Sequence, residues 1–213
     1  MVISSLKTVL VLAPHTDDLE ISCGGLVSKF IDLGIDVHSI SFSSADESLP
    51  PGFPKGTLLQ ENSEAWRRLG GKEENRTIMN YQVRMFREFR QSILETMVRI
   101  NKELRPDLVI TPSTSDTHQD HEVIAQESFR AFKKTSSIWG FEMPWNQRIM
   151  CSELFVTLSK THIDKKMFAV DAYKSQFHRK NMSADVLLSL AKLRGSQVDS
   201  QFAEAYESIR IIL

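Results

Sequence analysis

Thr8-Val-Leu-Val-Leu12 is an unbroken, β-branched apolar run with no polar alternation, the pattern of a strand covered on both faces. No other feature constrains the fold as much, because such a strand needs a layer of helices on each side. Pro14 and the pair Asp17-Asp18 stop the strand. Leu19 to Leu33 then carries Leu26, Phe30 and Leu33 at helical spacing before Gly34 ends it. Ile35 to Phe42 alternates apolar and polar residues as a second strand. Strand, helix and strand between Thr8 and Phe42 make a βαβ unit, hence a parallel pair with a right-handed crossover.

The alternation continues along the chain. Ser43 to Lys55 holds three prolines and reads as a loop long enough to be functional. Thr57 to Leu69 is helical up to Gly70-Gly71, and Phe86 to Leu104 is the longest amphipathic pattern, closed by Arg105-Pro106. Leu108 to Thr111 is another buried strand, followed by the polar loop Pro112 to Asp120 and a helix from His121 to Lys133. Beyond it, Ser136 to Trp145 and Leu154 to Leu158 read as strands, and His162 to Lys180 and Ala184 to Leu193 as helices. Ala203 to Leu213 reads as a last helix or strand. The expected fold is α/β: a Rossmann-like open, mostly parallel sheet flanked by helices, with a C-terminal elaboration. At 213 residues, with no repeat, low-complexity tract or linker, the chain is expected to form a single domain over 1–213. A chain of this size buries roughly 70% of its unfolded surface and needs no disulfide or structural metal to fold.

Composition excludes more than it assigns. Twenty-six basic and 27 acidic side chains leave a net charge of −1, which argues against nucleic acid or anionic lipid as a partner through overall charge. No segment approaches the roughly 20 apolar residues that cross a bilayer, so stable membrane insertion is not expected. The first residues, Met1 to Lys7, lack a signal-peptide pattern. Cys23 and Cys151 lie far apart and outside any CxxC pair, and read as reduced thiols of a cytoplasmic protein.

Two clusters carry chemistry, and both follow predicted parallel strands. Pro14-His15-Thr16-Asp17-Asp18 follows the first strand, and Asp116-Thr117-His118-Gln119-Asp120-His121 follows Leu108–Thr111. In open α/β sheets, ligands bind in the crevice beyond the strand carboxyl ends, where two such loops converge. His15, Asp18 and His121 make a nitrogen–oxygen set that zinc accepts. Three protein ligands leave a position for water, whose pKa a zinc ion lowers to about 7. Asp17, beside a ligand, is a candidate general base. His118 is a candidate to face an oxyanion or a leaving amine as an imidazolium, with Asp116 and Asp120 expected to orient its ring. Each cluster alone has an ordinary reading: a histidine in a loop is usually only hydrogen-bonded, and aspartates at a helix start serve as N-caps. Their joint occurrence at two strand ends favours the metal.

Those residues also resemble a known family. Pro14-His15-Thr16-Asp17-Asp18-Leu19-Glu20 followed by Gly24-Gly25 is similar to the first signature of the LmbE/PIG-L zinc-dependent de-N-acetylases, and His118-Gln119-Asp120-His121 to the second, with Gln119 where proline is frequent. Glu61, Ala65 and Leu69-Gly70, then Arg105-Pro106-Asp107, Tyr173 to Gln176 and Ala203-Glu204 resemble further family segments in order along nearly the whole chain. The resemblance implies zinc, or iron in its place, on His15, Asp18 and His121, with Asp17 as base and His118, supported by Asp120, as electrostatic or acid partner. It implies hydrolysis of an N-acetyl group on an N-acetylglucosamine-type amino sugar, free or linked to a nucleotide or lipid. Where many members carry an arginine near the start of the Glu61 helix, this sequence has Leu58-Leu59-Gln60, so the substrate contact must come from elsewhere. Candidates are Arg84, Glu47 in the Ser43–Lys55 loop, and Trp145 between Pro144 and Asn146, against the ordinary readings of solvated charges and a buried ring.

The remaining features have plainer readings. Gly24-Gly25 lacks a GxGxxG pattern and reads as close helix–sheet packing. Trp139 and Phe141 read as core, Cys23 as a small buried thiol, and His38, His162 and His178 as surface or satisfied core residues. The expected partner is a small amino sugar, and a homo-oligomer remains open. Rival functions are a sister amidase on another N-acylated metabolite, a non-catalytic sugar- or nucleotide-binding module, and a metal phosphoesterase. The last usually wants two metals, and the ligands here suffice for one.

Overall fold

The computed structural model describes residues 3–212. Its strands are β1 (Thr8–Ala13), β2 (Asp36–Ser41), β3 (Arg76–Ile78), β4 (Leu108–Pro112), β5 (Ser137–Phe141), β6 (Leu154–Leu158) and β7 (Phe202–Arg210). They form one sheet in the order β3-β2-β1-β4-β5-β7-β6. The first five run parallel, and β7 runs antiparallel to both its neighbours. Six helices flank the sheet: α1 (Asp18–Asp32), α2 (Thr57–Leu69), α3 (Arg90–Leu104), α4 (Gln119–Phe132), α5 (Lys160–Val170) and α6 (Ala184–Ser196). Among the described residues no helix is long and apolar enough to cross a membrane.

The apolar run in β1 follows from the layering. Val9, Val11 and Ala13 pack into a core with residues of α1, α2, α5 and α6, while Leu10 and Leu12 pack into a second core with α3 and α4. Successive side chains point to opposite faces, so a strand buried between two helix layers has no position left for a polar residue. From β1 the chain steps outward through β2 to β3, then crosses back to β4 on the other side of β1. The loops after β1 and β4 therefore leave neighbouring strands toward opposite helix layers. That switch in direction opens the crevice in which α/β folds place their ligands.

Local signals set α1 and α2 within a residue of expectation, and Gly34 lies past α1 at φ 75°, a left-handed position that glycine adopts without strain. Long-range bonds override the pattern elsewhere. The amphipathic run from Phe86 becomes helical only at Arg90, because the Arg84 and Phe86 backbone N–H groups donate to the Asp120 carboxylate at 2.6 and 3.4 Å. The expected helix His162–Lys180 stops at Val170. Beyond it the Ser175 N–H and Oγ donate to the buried Glu61 carboxylate at 2.8 and 2.6 Å, and the segment continues as short turns around Lys174–Gln176 and Lys180–Met182. The segment left open as helix or strand is β7. β3 carries no sequence signal, being three residues at the sheet edge.

α1 is interrupted. Cys23 sits at φ −125° and ψ 16°, outside helical geometry, between a short piece that begins at Asp18 and a longer piece that runs to Asp32.

Candidate metal centre

Pro14 ends β1, and the next residues fold back on themselves: the His15 N–H donates to Asp18 Oδ2 at 2.8 Å. The same oxygen lies 3.2 Å from His15 Nδ1 and 3.3 Å from His121 Nε2. His121 comes from the first turn of α4, whose N-cap is His118. One donor atom each from His15, Asp18 and His121 thus falls within 4.8 Å of the others, which joins the two clusters across the switch point. All three side chains are buried.

Each imidazole uses its other nitrogen on a second carboxylate. His15 Nε2 donates to Asp120 Oδ2 at 2.9 Å, and His121 Nδ1 donates to Asp116 Oδ2 at 2.8 Å. A carboxylate accepts only, so these bonds fix the ring orientations and turn the remaining nitrogens toward Asp18. Burial opposes charge on His121, yet the Asp18 carboxylate outweighs it, helped by Asp116, and its pKa is pushed up to about 10. His15 is raised likewise, mainly by Asp18 against burial. Burial also opposes the charge on Asp18, but the two imidazoles hold its carboxyl well below the usual range. The environment favours positive charge between these donors, and two imidazole nitrogens with one carboxylate oxygen suit a divalent cation such as zinc. A second grouping, His15 with His118 and Asp120, is also compact. There the Asp120 carboxylate is already occupied by His15 and by the Arg84 and Phe86 N–H groups, so the first set is the better cation site.

The Asp116 and Asp120 carboxylates orient the rings of His121 and His15, while Asp120 reaches the ring of His118 through its backbone N–H. The His118 backbone N–H donates to Asp116 Oδ1 at 2.9 Å, and its Nδ1 accepts from the Asp120 N–H at 3.2 Å. Burial, reinforced by the two neighbouring histidines, pushes its pKa down to about 4. These surroundings favour the neutral ring over the imidazolium, and with Nδ1 accepting, the proton of the neutral ring sits on Nε2. Asp17, next to the donor set, is buried. Burial raises its carboxyl above the usual value, Asp18 adds to that, and Arg179 partly offsets it. Arg179 Nη1 donates to Asp17 Oδ2 at 2.8 Å.

These groups line a cleft of about 310 Å³, within the size range of small-molecule sites. Arg84 and Trp145 line it, as does Leu58 from the first turn of α2. Arg84 takes a positive φ of 67° and donates from Nη2 to Ser48 Oγ at 3.2 Å. Glu47 is exposed and lies outside the lining, although its neighbour Ser48 contributes. Trp139 and Phe141 are core residues. His178, expected at the surface or in the core, lines the cleft together with Gln176 and Arg179. Sequence reasoning did not find these three in this role, because they sit in turns that the helical pattern had absorbed. Tyr173 Oη donates to the Thr16 carbonyl at 2.5 Å and ties that segment under the first cluster.

Comparison with known proteins points the same way. The family model described as PIG-L, GlcNAc-PI de-N-acetylase, matches residues 10–132, which include both clusters. The uncharacterized deacetylase YaiS of Escherichia coli (strain K12) is 22% identical over 172 residues, covering 79% of this chain and 91% of that protein. The diacetylchitobiose deacetylase of Thermococcus kodakarensis is 25% identical over 197 residues, covering 82% and 72%. Among solved structures, GalB, the 4-carboxy-2-hydroxymuconate hydratase from Pseudomonas putida KT2440, superposes with a TM-score of 0.79 at 17% identity over 97% of this chain and 98% of that one. At that identity the likeness shows the fold alone. A fold that also serves a hydratase does not select the reaction.

Proposed function

Because the chain belongs to the PIG-L family of de-N-acetylases, we propose that it is a metal-dependent hydrolase that removes the N-acetyl group from an N-acetylglucosamine-type amino sugar or its conjugate. The observation that carries this reading is the convergence of His15, Asp18 and His121 at the floor of a cleft, with the Asp17 carboxylate beside them. His15, Asp18 and His121 would hold zinc, with iron as the alternative ion. When bound, the ion polarises the acetyl carbonyl and lowers the pKa of water to about 7. Asp17 accepts a proton as the water oxygen bonds to the carbonyl carbon, and delivers it to the sugar nitrogen as the C–N bond breaks. Acetate and the free amine leave. Arg179 holds one oxygen of Asp17 and leaves the other for the proton. A carboxyl raised by burial is a better base near neutrality than an ordinary aspartate. The neutral His118 donates its Nε2–H to the oxyanion. Trp145 and Arg84 contact the sugar or its substituent from the cleft wall.

The test is a mass-spectrometric screen of the metal-loaded protein against free, nucleotide-linked and lipid-linked N-acetylhexosamines. The expected result is one acetate for each amine formed from at least one class. A parallel arm offers an unsaturated dicarboxylic acid of the hydratase type. Addition of water there, with no acetate from any sugar, refutes the proposal. The outer carboxylates give a separate readout: Asp116→Ala and Asp120→Ala should each weaken metal binding by about 10- to 100-fold, measured by chelator competition on folded protein.

A further inference from the structure

The break in α1 leaves backbone groups without helical partners: carbonyls at the end of the short piece and N–H groups at the start of the longer one. The break is buried, Cys23 and both following glycines included, so water cannot serve them. Two side chains from far downstream do. Lys166 Nζ on α5 donates to the Ser22 carbonyl at 3.1 Å. The Glu204 carboxylate on β7 accepts from the Gly25 N–H at 3.0 Å on Oε1 and from the Leu26 N–H at 2.8 Å on Oε2. The two charges meet at 2.6 Å, and the Tyr206 hydroxyl donates to Oε2 at 2.8 Å. Lysine closes one end of the break and glutamate the other, each where the helix dipole favours its sign.

The same contacts account for the glycine pair. A Cβ at Gly24 would stand 3.2 Å from Lys166 Cγ, and one at Gly25 would stand 2.9 Å from Glu204 Oε1 and 2.6 Å from Leu158 Cδ1. Gly24 and Gly25 make room for the ion pair. On the other side of the break, the short piece is tied back by Ser22 Oγ, which donates to the Asp18 carbonyl at 2.6 Å. Asp18 is thus one turn from the lysine contact.

We propose that Lys166 and Glu204 are positioning residues for the metal centre: their ion pair splints the broken helix and so sets the direction in which its first turn presents Asp18. The proposal rests on the metal reading of His15, Asp18 and His121. Stability alone is a poor explanation for the pair, since buried ion pairs are often replaced by apolar residues at no cost.

The experiment measures metal affinity by chelator competition, alongside thermal unfolding of the metal-free protein, in four variants. Lys166→Met and Glu204→Gln should each weaken metal binding by at least tenfold, whereas Lys166→Arg, which keeps the cation, should return it to within about threefold of the parent. The double variant Arg194→Met/Glu142→Gln is the control, because it removes another, partly buried ion pair whose hydrogen bonds reach only each other and Gln197. It should lower the unfolding temperature without changing metal affinity. If Lys166→Met and Glu204→Gln lower only the unfolding temperature, the pair is structural and the proposal fails. If Glu204→Gln does not fold, the Met and Arg variants of Lys166 decide the same question. A parent protein that binds no metal overturns the reading of the centre itself, a result distinct from a parent that binds and variants that bind equally.

Discussion

Asp17→Asn is expected to lower acetate release by about 10²- to 10⁴-fold, the range that a positioned general base contributes, with metal content unchanged. Asp17 is outside the compact donor set of His15, Asp18 and His121, so the substitution takes no ligand away. Asparagine has the same shape, and its carbonyl oxygen can still accept from Arg179, which donates to Asp17 Oδ2 at 2.8 Å. What it cannot do is hold the proton taken from water. The loss should therefore fall on kcat with KM nearly constant. Metal analysis and an acetate assay on the same preparation check both halves, and full activity in Asp17→Asn would mean that another group is the base.

His121→Ala should reduce bound metal to the background level and acetate release to that of the chelator-treated parent. His121 supplies one of three converging donors and is the one that α4 contributes to the Asp18 oxygen. Its removal also strands Asp116, a buried carboxylate whose Oδ2 bonds to His121 Nδ1 at 2.8 Å. An unsatisfied buried acceptor costs about 1–3 kcal/mol, so circular dichroism must accompany the metal analysis. His121→Gln keeps a side-chain N–H for Asp116 and separates the two effects: metal should still be lost while the fold is retained. Metal retained in a folded His121→Gln would remove this histidine from the ligand set.

What the sequence revealed and concealed has a physical pattern. The α2 boundaries at Thr57 and Leu69 were readable because glycines flank that helix and its apolar face repeats locally. The two metal-type clusters were readable because each is a short string at the end of a buried strand. Which carboxylate meets which imidazole was not, since His15 and Asp120 are 105 residues apart and only the packing of α4 beside β1 brings them together. The same carboxylate hides the true start of α3, holding back two N–H groups that an amphipathic pattern assigns to a helix. Arg179 and His178 belong to turns inside a stretch whose pattern reads as helix, and no motif marks them. Gly24-Gly25 was visible as a place needing space, but its occupants, Lys166 and Glu204, were not.

β7 follows every other strand in the sequence, yet in the sheet it lies between β5 and β6. A ribosome makes the His15–Asp18 segment before β2 and makes β7 after the other described strands. Until β7 emerges, β6 has no strand to pair with, and the Gly25 and Leu26 N–H groups have no carboxylate to meet. The candidate donors His15, Asp18 and His121 therefore all precede, in the chain, the strand that secures the break in α1. A fragment that stops before Phe202 would hold both histidine clusters but lack the Glu204 carboxylate that meets the Gly25 and Leu26 N–H groups.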